Sequence, residues 1–551
     1  MKKLFLFLLT VMTISLCASA QTRTVKGTVL DAGTDEPLPG VSVKAGGNVG
    51  VATDLDGKFT ITVPQAVTKL TFSFIGYKDQ TLPISNNMEV KLVPAAEQLD
   101  EIIAVAYGSV KKSEYTGSAG VVKADQLEDA QVSNVTNALA GKLAGVQTLS
   151  SNGQPGAGSS VLIRGVGSIN SSTAPLYVVD GMPYDGNISN IATSDIEAMT
   201  VLKDAASTAL YGARGANGVI LITTKRGQQG KAKVTADISW GGNSRALGNY
   251  NVIDNPGQFL ETVYKALYTT QYMSNIAADG SNKAAVAAAA HLYANNNLWS
   301  ALGQQTYSVP EGQLFIGANG KLNPAATPGY SDGTYYYTPD NWTDETIING
   351  LRQDYSLTIT GGTDRFNYYV SGGFLSDEGI IKGSHFKRFS TRSAVDYQAN
   401  KWLKVGTTLN YAYVNSGYPS GQTSSDYNST TNAFAVINQM GPVYPIYFRD
   451  ANGAILRDPA TNKPLYDYGT GVVSKDRPNA AQRPSGAWST ANPAGALAYD
   501  TREFLHDVFD GKWYANVNPI EGLNVQGTLG YYVDNIRYHN LDNPLYGQAV
   551  A

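Results

Sequence analysis

Between residues 23 and 94 apolar positions alternate with polar or small ones in short runs: Val25 and Val29, Val41 and Val43, Phe59, Ile61 and Val63, then Leu70, Phe72 and Phe74. The turn-rich stretches "DAGTDEPLPG", "TDLDGK" and "PQAVTK" separate them. Period-two runs bounded by such residues are strands with one buried face, and several at this spacing predict a β-sandwich.

From Lys123 to Gly227 the pattern is mixed. "SNVTNALAGKLAGVQ" has helical spacing at Val135, Leu139 and Leu143, with Ser133 as the N-cap and Gly145 near the stop. "SSVLIRGVG" and "PLYVVDGMPY" are short strands, and "DIEAMTVLK" is apolar at near-alternate positions. Asp204 caps a short helix over Ala205 to Tyr211, which Gly212 ends in a left-handed conformation, and a strand follows over Val219 to Thr224. This segment is predicted to be an α+β unit.

The second half alternates more strictly. Tyr355, Leu357 and Ile359 fall opposite Asp354, Ser356 and Thr358, and Phe366, Tyr368, Val370 and Phe374 opposite Asn367, Tyr369 and Ser371. Leu403, Val405, Leu409, Tyr411 and Tyr413 oppose Lys404, Thr408 and Asn410; Leu523, Val525, Leu529, Tyr531 and Val533 oppose Asn524, Gln526, Thr528 and Asp534. Further strands are expected near 232–242, 386–398 and 505–517. Short turns at "GGTD", "ANK" and "NPIEG" alternate with longer connections at about 244–352, 376–385 and 416–504. Strands of about 9–11 residues with an apolar and a polar face, joined alternately by short turns and long loops, are the pattern of an outer-membrane β-barrel. "SNKAAVAAAAHLYANNNLW" is expected to be helical within the first long loop. The aromatic clusters "YSDGTYYYTPDNW" and "YPIYFRD" suit either packing within the loops or contact with a sugar or peptide.

Composition narrows the function. The 551 residues carry a formal net charge of −4, so nothing points to nucleic acid. Lys2 and Lys3, an apolar run from Leu4 to about Leu16, and Ala18-Ser19-Ala20 form a secretory signal expected to be cleaved after Ala20. The single cysteine, Cys17, lies within it, which leaves the mature chain without thiol chemistry. No later run of apolar residues is long enough for a transmembrane helix, so a membrane could be entered only as a barrel. The four histidines, His291, His385, His506 and His539, are scattered, and no metal or catalytic motif is expected. "DLDG" at Asp54 to Gly57 lacks the remaining ligands of a calcium loop and reads as a hairpin turn.

"ALYGARGANGVILITTKRG" places Gly212, Gly215 and Gly218 at three-residue intervals. A phosphate loop runs strand, glycines, helix; here the order is helix, glycines, strand, and the glycines sit at the helix end whose dipole repels anions. They are expected to supply positive-φ turns and close packing. Asp100, Glu101, Ile102, Ile103, Ala104, Val105, Ala106 and Tyr107 form a short β-prone stretch. It reads equally as one more strand of the sandwich or as an extended peptide that adds to the sheet edge of a partner.

The order "VKGTVLDAGTDEPLPGVSVKAGGNVGVATDLDGKFTI" resembles the carboxypeptidase-regulatory-like domain, which implies no catalysis. "LDEIIAVAYG", "LYVVDG" and "IEAMTVLKDAASTALYGARGANGVILITTKRG", in that order, resemble the SusC/RagA class of TonB-dependent outer-membrane transporters. The resemblance implies a mainly β chain: signal peptide 1–20, β-sandwich 21–95, TonB box and linker 96–112, α+β plug 113–228, and the first strands of a transmembrane antiparallel β-barrel over 229–551. Asp100 to Tyr107 would contact TonB, with alanines where the class commonly has larger residues. Asp180, Gly181, Gly212, Arg214, Gly215 and Gly218 would be plug signature residues, with Asp180 and Arg214 engaged in pairing or hydrogen bonding within the plug. The class also implies a SusD-like surface lipoprotein partner, residence in outer-membrane lipid, import of an oligosaccharide or oligopeptide, and neither cofactor nor enzymatic activity. About seven strands are too few to surround a plug, since transporter barrels of this kind use about 22, so an incomplete barrel is expected. The rival reading is a secreted or surface β-rich binding or adhesion protein.

Overall fold

The computed structural model describes residues 22–542 apart from 33, 46–48, 66, 76, 86, 94–101, 106–107, 112–117, 151–152, 249, 279–280, 423–428, 430, 470–482 and 484–490. The chain divides into two compact units, Met1–Thr116 and Gly117–Ala551.

In the first unit, Thr22–Asp31 pairs antiparallel with Lys58–Pro64 and parallel with Met88–Leu92. A second sheet runs Gly50–Ala52, Ser42–Lys44, Lys69–Ser73, Gln80–Pro83. The alternating residues Val25, Val29, Val41, Val43, Phe59, Ile61, Val63, Leu70 and Phe72 all enter the shared core, so this is the sandwich that period two predicts. Ile102–Val105 belongs to neither sheet. It forms its own antiparallel hairpin with Gly108–Lys111.

The second unit begins with an α+β body. Its sheet runs Ala119–Lys123, Ile196–Leu202, Val219–Thr224, Leu176–Val179, Met182–Pro183. Val122, Leu139, Ile163, Val179, Met199, Val201, Ile220 and Ile222 meet in its core. Two local expectations need correction. The cap at residue 133 is instead Asn134, whose side chain accepts from the Thr136 amide and starts a 3-10 turn, Val135–Leu139. Asn reaches the second following amide in such a turn, and the Ser133 hydroxyl is taken by Asp377. The helix capped by Asp204 covers only Ala205–Thr208. A 3-10 path then continues over Ala209–Gly215, broken within by Gly212 at φ 59° and ψ −147°, a conformation that only glycine adopts cheaply.

Seven long strands follow in simple meander order: Gly230–Asn243, Gly350–Gly362, Phe366–Glu378, His385–Asn400, Leu403–Gly417, Thr501–Ile520 and Leu523–Leu541. Every neighbouring pair is antiparallel. The connections at 363–365, 401–402 and 521–522 are short, and those at 244–349 and 418–500 are long. On the fourth strand Arg388 is 5% exposed while its neighbour Phe389 is 49% exposed. Arg352, Ser371, Asp377, Arg392 and Thr408 are buried on the same side of the sheet; Val234, Ile238, Trp240, Leu357, Phe374, Trp513 and Leu529 are exposed on the other. A water-soluble sheet has the opposite polarity. A wall with lipid outside and a polar lumen has this one.

The long connections fold together. Helices Pro256–Ala278 and Lys283–Leu302 from the first, and Ala433–Gln439 and Pro493–Tyr499 from the second, contribute Leu260, Tyr264, Leu298, Val436 and Ala494 to one core, which Trp342, Tyr444 and Ile446 from the segments between them complete. The clustered loop aromatics are therefore largely internal: Trp342 donates to the Tyr444 carbonyl at 3.1 Å, and Asp340 holds Arg449 through two bonds of 2.6 and 3.0 Å.

Candidate functional site

The α+β body rests against the polar face of the wall, and its contacts begin at a two-residue turn. Val179 pairs with Met182, so Asp180-Gly181 must reverse the chain, and both have positive φ, 48° and 84°. An Asp-Gly pair suits this hairpin geometry. The turn aims the Asp180 carboxylate at the wall. It accepts from the Thr224 amide at 3.0 Å, from the Thr224 hydroxyl, and from Arg392 Nη2 at 3.2 Å. Arg392 also donates to Asn410 at 2.7 Å, and Asn410 to Asp510 at 3.0 Å, so the chain of bonds crosses three wall strands. Lys512 donates to the Asp180 carbonyl. Burial pushes the Asp180 carboxyl up, but Arg392, Arg226 and the two bonds from Thr224 outweigh it and hold the group below the usual carboxylate range. Asp180 is thus hydrogen-bonded within the plug, to Thr224, while its ionic partner, Arg392, lies on the wall.

Two further contacts lock the same half of this body. Asp195, itself buried, accepts from Tyr369 at 2.9 Å and Ser371 at 2.6 Å, while Arg388 donates to the carbonyls of Ser189 and Ile191 at 2.6 and 3.1 Å. Arg226 reaches Asp396 at 3.3 Å and lies 5.7 Å from the Tyr514 ring centre. Arg388, Arg392 and Asp396 are spaced by four on one strand, hence on one face. That parity was readable in "HFKRFSTRSAVDYQAN", although it singled out none of the three.

The glycines serve packing. Gly218 has φ 93°, and a Cβ there would lie 2.6 Å from Ile163 Cδ1; one on Gly215 would lie 2.7 Å from the Thr208 carbonyl oxygen. Arg214 pairs with Asp185 on the exposed surface of the same body, away from the wall contacts. Of the stretch from 100 to 107, Ile102, Ile103, Ala104 and Val105 lie in the hairpin strand, and Asp100, Glu101, Ala106 and Tyr107 lie outside the described residues.

Two cavities sit between body and wall. One, of about 30 Å³, is about water-sized, and its lining mixes Val179, Ile191 and Val508 with Asp195, Arg392 and Asp510. The other, of about 220 Å³, lies toward the long-loop ends of the strands. Gln154, Asn187, Ser189 and Asn190 line one side, and Phe386, Tyr418, Phe504 and His506 the other. Tyr418 and Phe504 stack at 5.3 Å between ring centres.

Residues 111–219 match the TonB-dependent Receptor Plug Domain and residues 25–104 the CarboxypepD_reg-like domain. TonB-dependent receptor SusC of Bacteroides thetaiotaomicron is 34% identical over 402 residues, 71% of this chain and 34% of that protein. The chain belongs to the SusC/RagA class of TonB-dependent outer-membrane transporters. TonB-dependent receptor P26 of Formosa agariphila is 29% identical over 525 residues, 94% of this chain and 43% of its own. The chain thus spans less than half the length of these two relatives. Its fold is also similar to a solved structure of the RagAB peptide importer in the 'open-open' state, with a TM-score of 0.55 and 24% identity over 80% of this chain and 43% of that one. The α+β body is accordingly a plug, the seven strands are barrel wall, and the protein belongs in the outer membrane.

Proposed function

We propose that this protein takes part in TonB-driven import of a nutrient oligomer, a sugar or a peptide, across the outer membrane, with a SusD-like lipoprotein as its surface partner and no catalytic step of its own. The observation that carries this reading is the inverted polarity of the wall around a seated plug. A soluble adhesin has no reason to bury Arg388 and Arg392 while exposing Phe389 and Leu357. Domain limits at 21–95, 96–112, 113–228 and 229–551 follow from the same reading. Substrate would settle in the cavity between the plug amides and Phe386, Tyr418 and Phe504, where rings supply a stacking face and amides supply orientation. TonB would capture Asp100 to Tyr107 by strand addition and draw on the plug, displacing part of it so that substrate passes inward. Arg214 and the signature glycines Gly181, Gly212, Gly215 and Gly218 would keep the plug's own shape. The test is deletion of Asp100 to Tyr107 in the protein as its host makes it. Uptake should vanish while surface binding of substrate persists; uptake that survives the deletion contradicts the coupling.

A further inference from the structure

We infer that TonB pairs with one particular edge of a preformed hairpin, using the backbone groups of Ile102 and Ala104 and not those of Ile103 and Val105. The inference rests on the proposed contact of this segment with TonB and adds which half of its backbone is offered. Ile102 pairs with Lys111, Ile103 with Val110, Ala104 with Ser109 and Val105 with Gly108. Only residues 106 and 107 connect the two strands, so Val105 and Gly108 close the hairpin. Across so short a connection the closing pair must be the hydrogen-bonded kind, because the other kind would need a bond between the two connecting residues themselves. Hydrogen-bonded and open pairs alternate in an antiparallel ladder. Ile103 with Val110 is therefore bonded, and Ala104 with Ser109 and Ile102 with Lys111 are open. The amides and carbonyls of Ile103 and Val105 are spent inside the hairpin, while those of Ile102 and Ala104 face away from Gly108–Lys111.

Among the described residues this hairpin joins no other sheet. Two strands alone are marginal in water, and a third strengthens them. The occupant to which this edge is suited is an edge strand of TonB. The match to the plug of TonB-dependent receptors begins at residue 111, the last residue of the hairpin, so force on the hairpin passes directly along the chain into the plug. The hairpin has already ordered the strand that TonB must add to, which removes part of the entropy cost of capture.

The experiment uses the full chain in outer-membrane vesicles and the purified C-terminal domain of TonB. Proline lacks the amide proton, so Ile102→Pro and Ala104→Pro each remove an outward donor and leave the ladder bonds of the hairpin in place. Each should weaken TonB capture about tenfold. Ile103→Pro and Val105→Pro open the hairpin but keep the outward donors, and should weaken capture less. Amide exchange on the unaltered chain supplies a second readout. Ile103 and Val105 should be protected before TonB is added, and Ile102 and Ala104 only afterwards. A larger loss at 103 and 105, or equal losses at all four positions, overturns the edge assignment, as does unprotected Ile103 and Val105 in the free chain. Capture that survives deletion of Asp100 to Tyr107 overturns the underlying TonB contact instead, so the two failures are distinguishable.

Discussion

Replacing Asp180 by Asn should loosen the plug from its wall. The carboxylate and Arg392 are both almost fully buried, with side chains 6% and 3% exposed, and they meet at 3.2 Å. Asn keeps the shape and can still accept from the Thr224 amide, but it takes away the carboxylate that pairs directly with the buried Arg392 guanidinium. Breaking one side of such a pair costs about 3–5 kcal/mol. With a urea dependence of about 1–3 kcal/mol per molar, the midpoint for plug release should fall by at least about 1 M. Cys17 is the single cysteine of the 551 residues, so Ser171→Cys on the exposed plug surface, in a Cys17→Ser background, gives one labelling site for a mobility probe. Arg392→Met should cost a similar amount. Combining the two should cost clearly less than their sum, because neither charge is then stranded. A depressed folded-state pKa adds a pH signature. The contribution of Asp180 is complete above the ordinary carboxylate value of about 4 and is lost as pH falls through the lower folded-state value, and Asp180→Asn should lack that loss. Single variants within about 0.5 kcal/mol of the parent, or strict additivity, would refute the claim that this pair fastens the plug.

Other outcomes follow from the same geometry. Gly218→Ala meets both a positive φ and Ile163 at 2.6 Å, so it should cost the plug about 1–3 kcal/mol in the same urea assay. Gly212→Ala, which meets open space, should cost only the backbone strain, and a larger effect than Gly218→Ala would argue against the packing role assigned to Gly218. Leu357→Lys, on the lipid face, should lower stability in the bilayer by about 2–4 kcal/mol, and Ser356→Lys, on the lumen side, by less; denaturant titration in lipid vesicles separates them. Trp342→Ala should cost the external loop assembly about 3–5 kcal/mol, read as earlier proteolysis of 244–349 and 418–500 while the wall strands stay protected.

The wall was the most legible part of the sequence, because a strand between lipid and water must alternate. Segments expected near 232–242, 386–398 and 505–517 appear as Gly230–Asn243, His385–Asn400 and Thr501–Ile520. The expected strands were too short. The alternation of apolar residues stops where the lipid would stop, but the ladder continues through polar pairs, such as Glu503 with His539 and Arg502 with Asn540. Helix Pro256–Ala278 is not among the expected elements, although Leu260, Val263, Tyr264 and Leu267 have helical spacing and Asn255 caps it through the Gln258 amide. The poly-alanine stretch beside it, now Lys283–Leu302, was the more conspicuous signal. The plug seat was least legible. Asp180 and Arg392 lie 212 residues apart, and no local pattern links a turn residue to a strand position that far away. Strand parity can say that Arg392 faces the lumen, but not what it meets there.

The central claim is that the second half of the chain is greasy outside and polar inside, with the plug against the polar side. Cysteine placed singly at positions 355 to 360, labelled with a fluorophore in vesicles whose acyl chains carry a quencher, tests this most directly. Quenching should be strong at 355, 357 and 359 and weak at 356, 358 and 360. Uniform protection of all six positions, or strong quenching on the Ser356, Thr358 and Thr360 side, would contradict it.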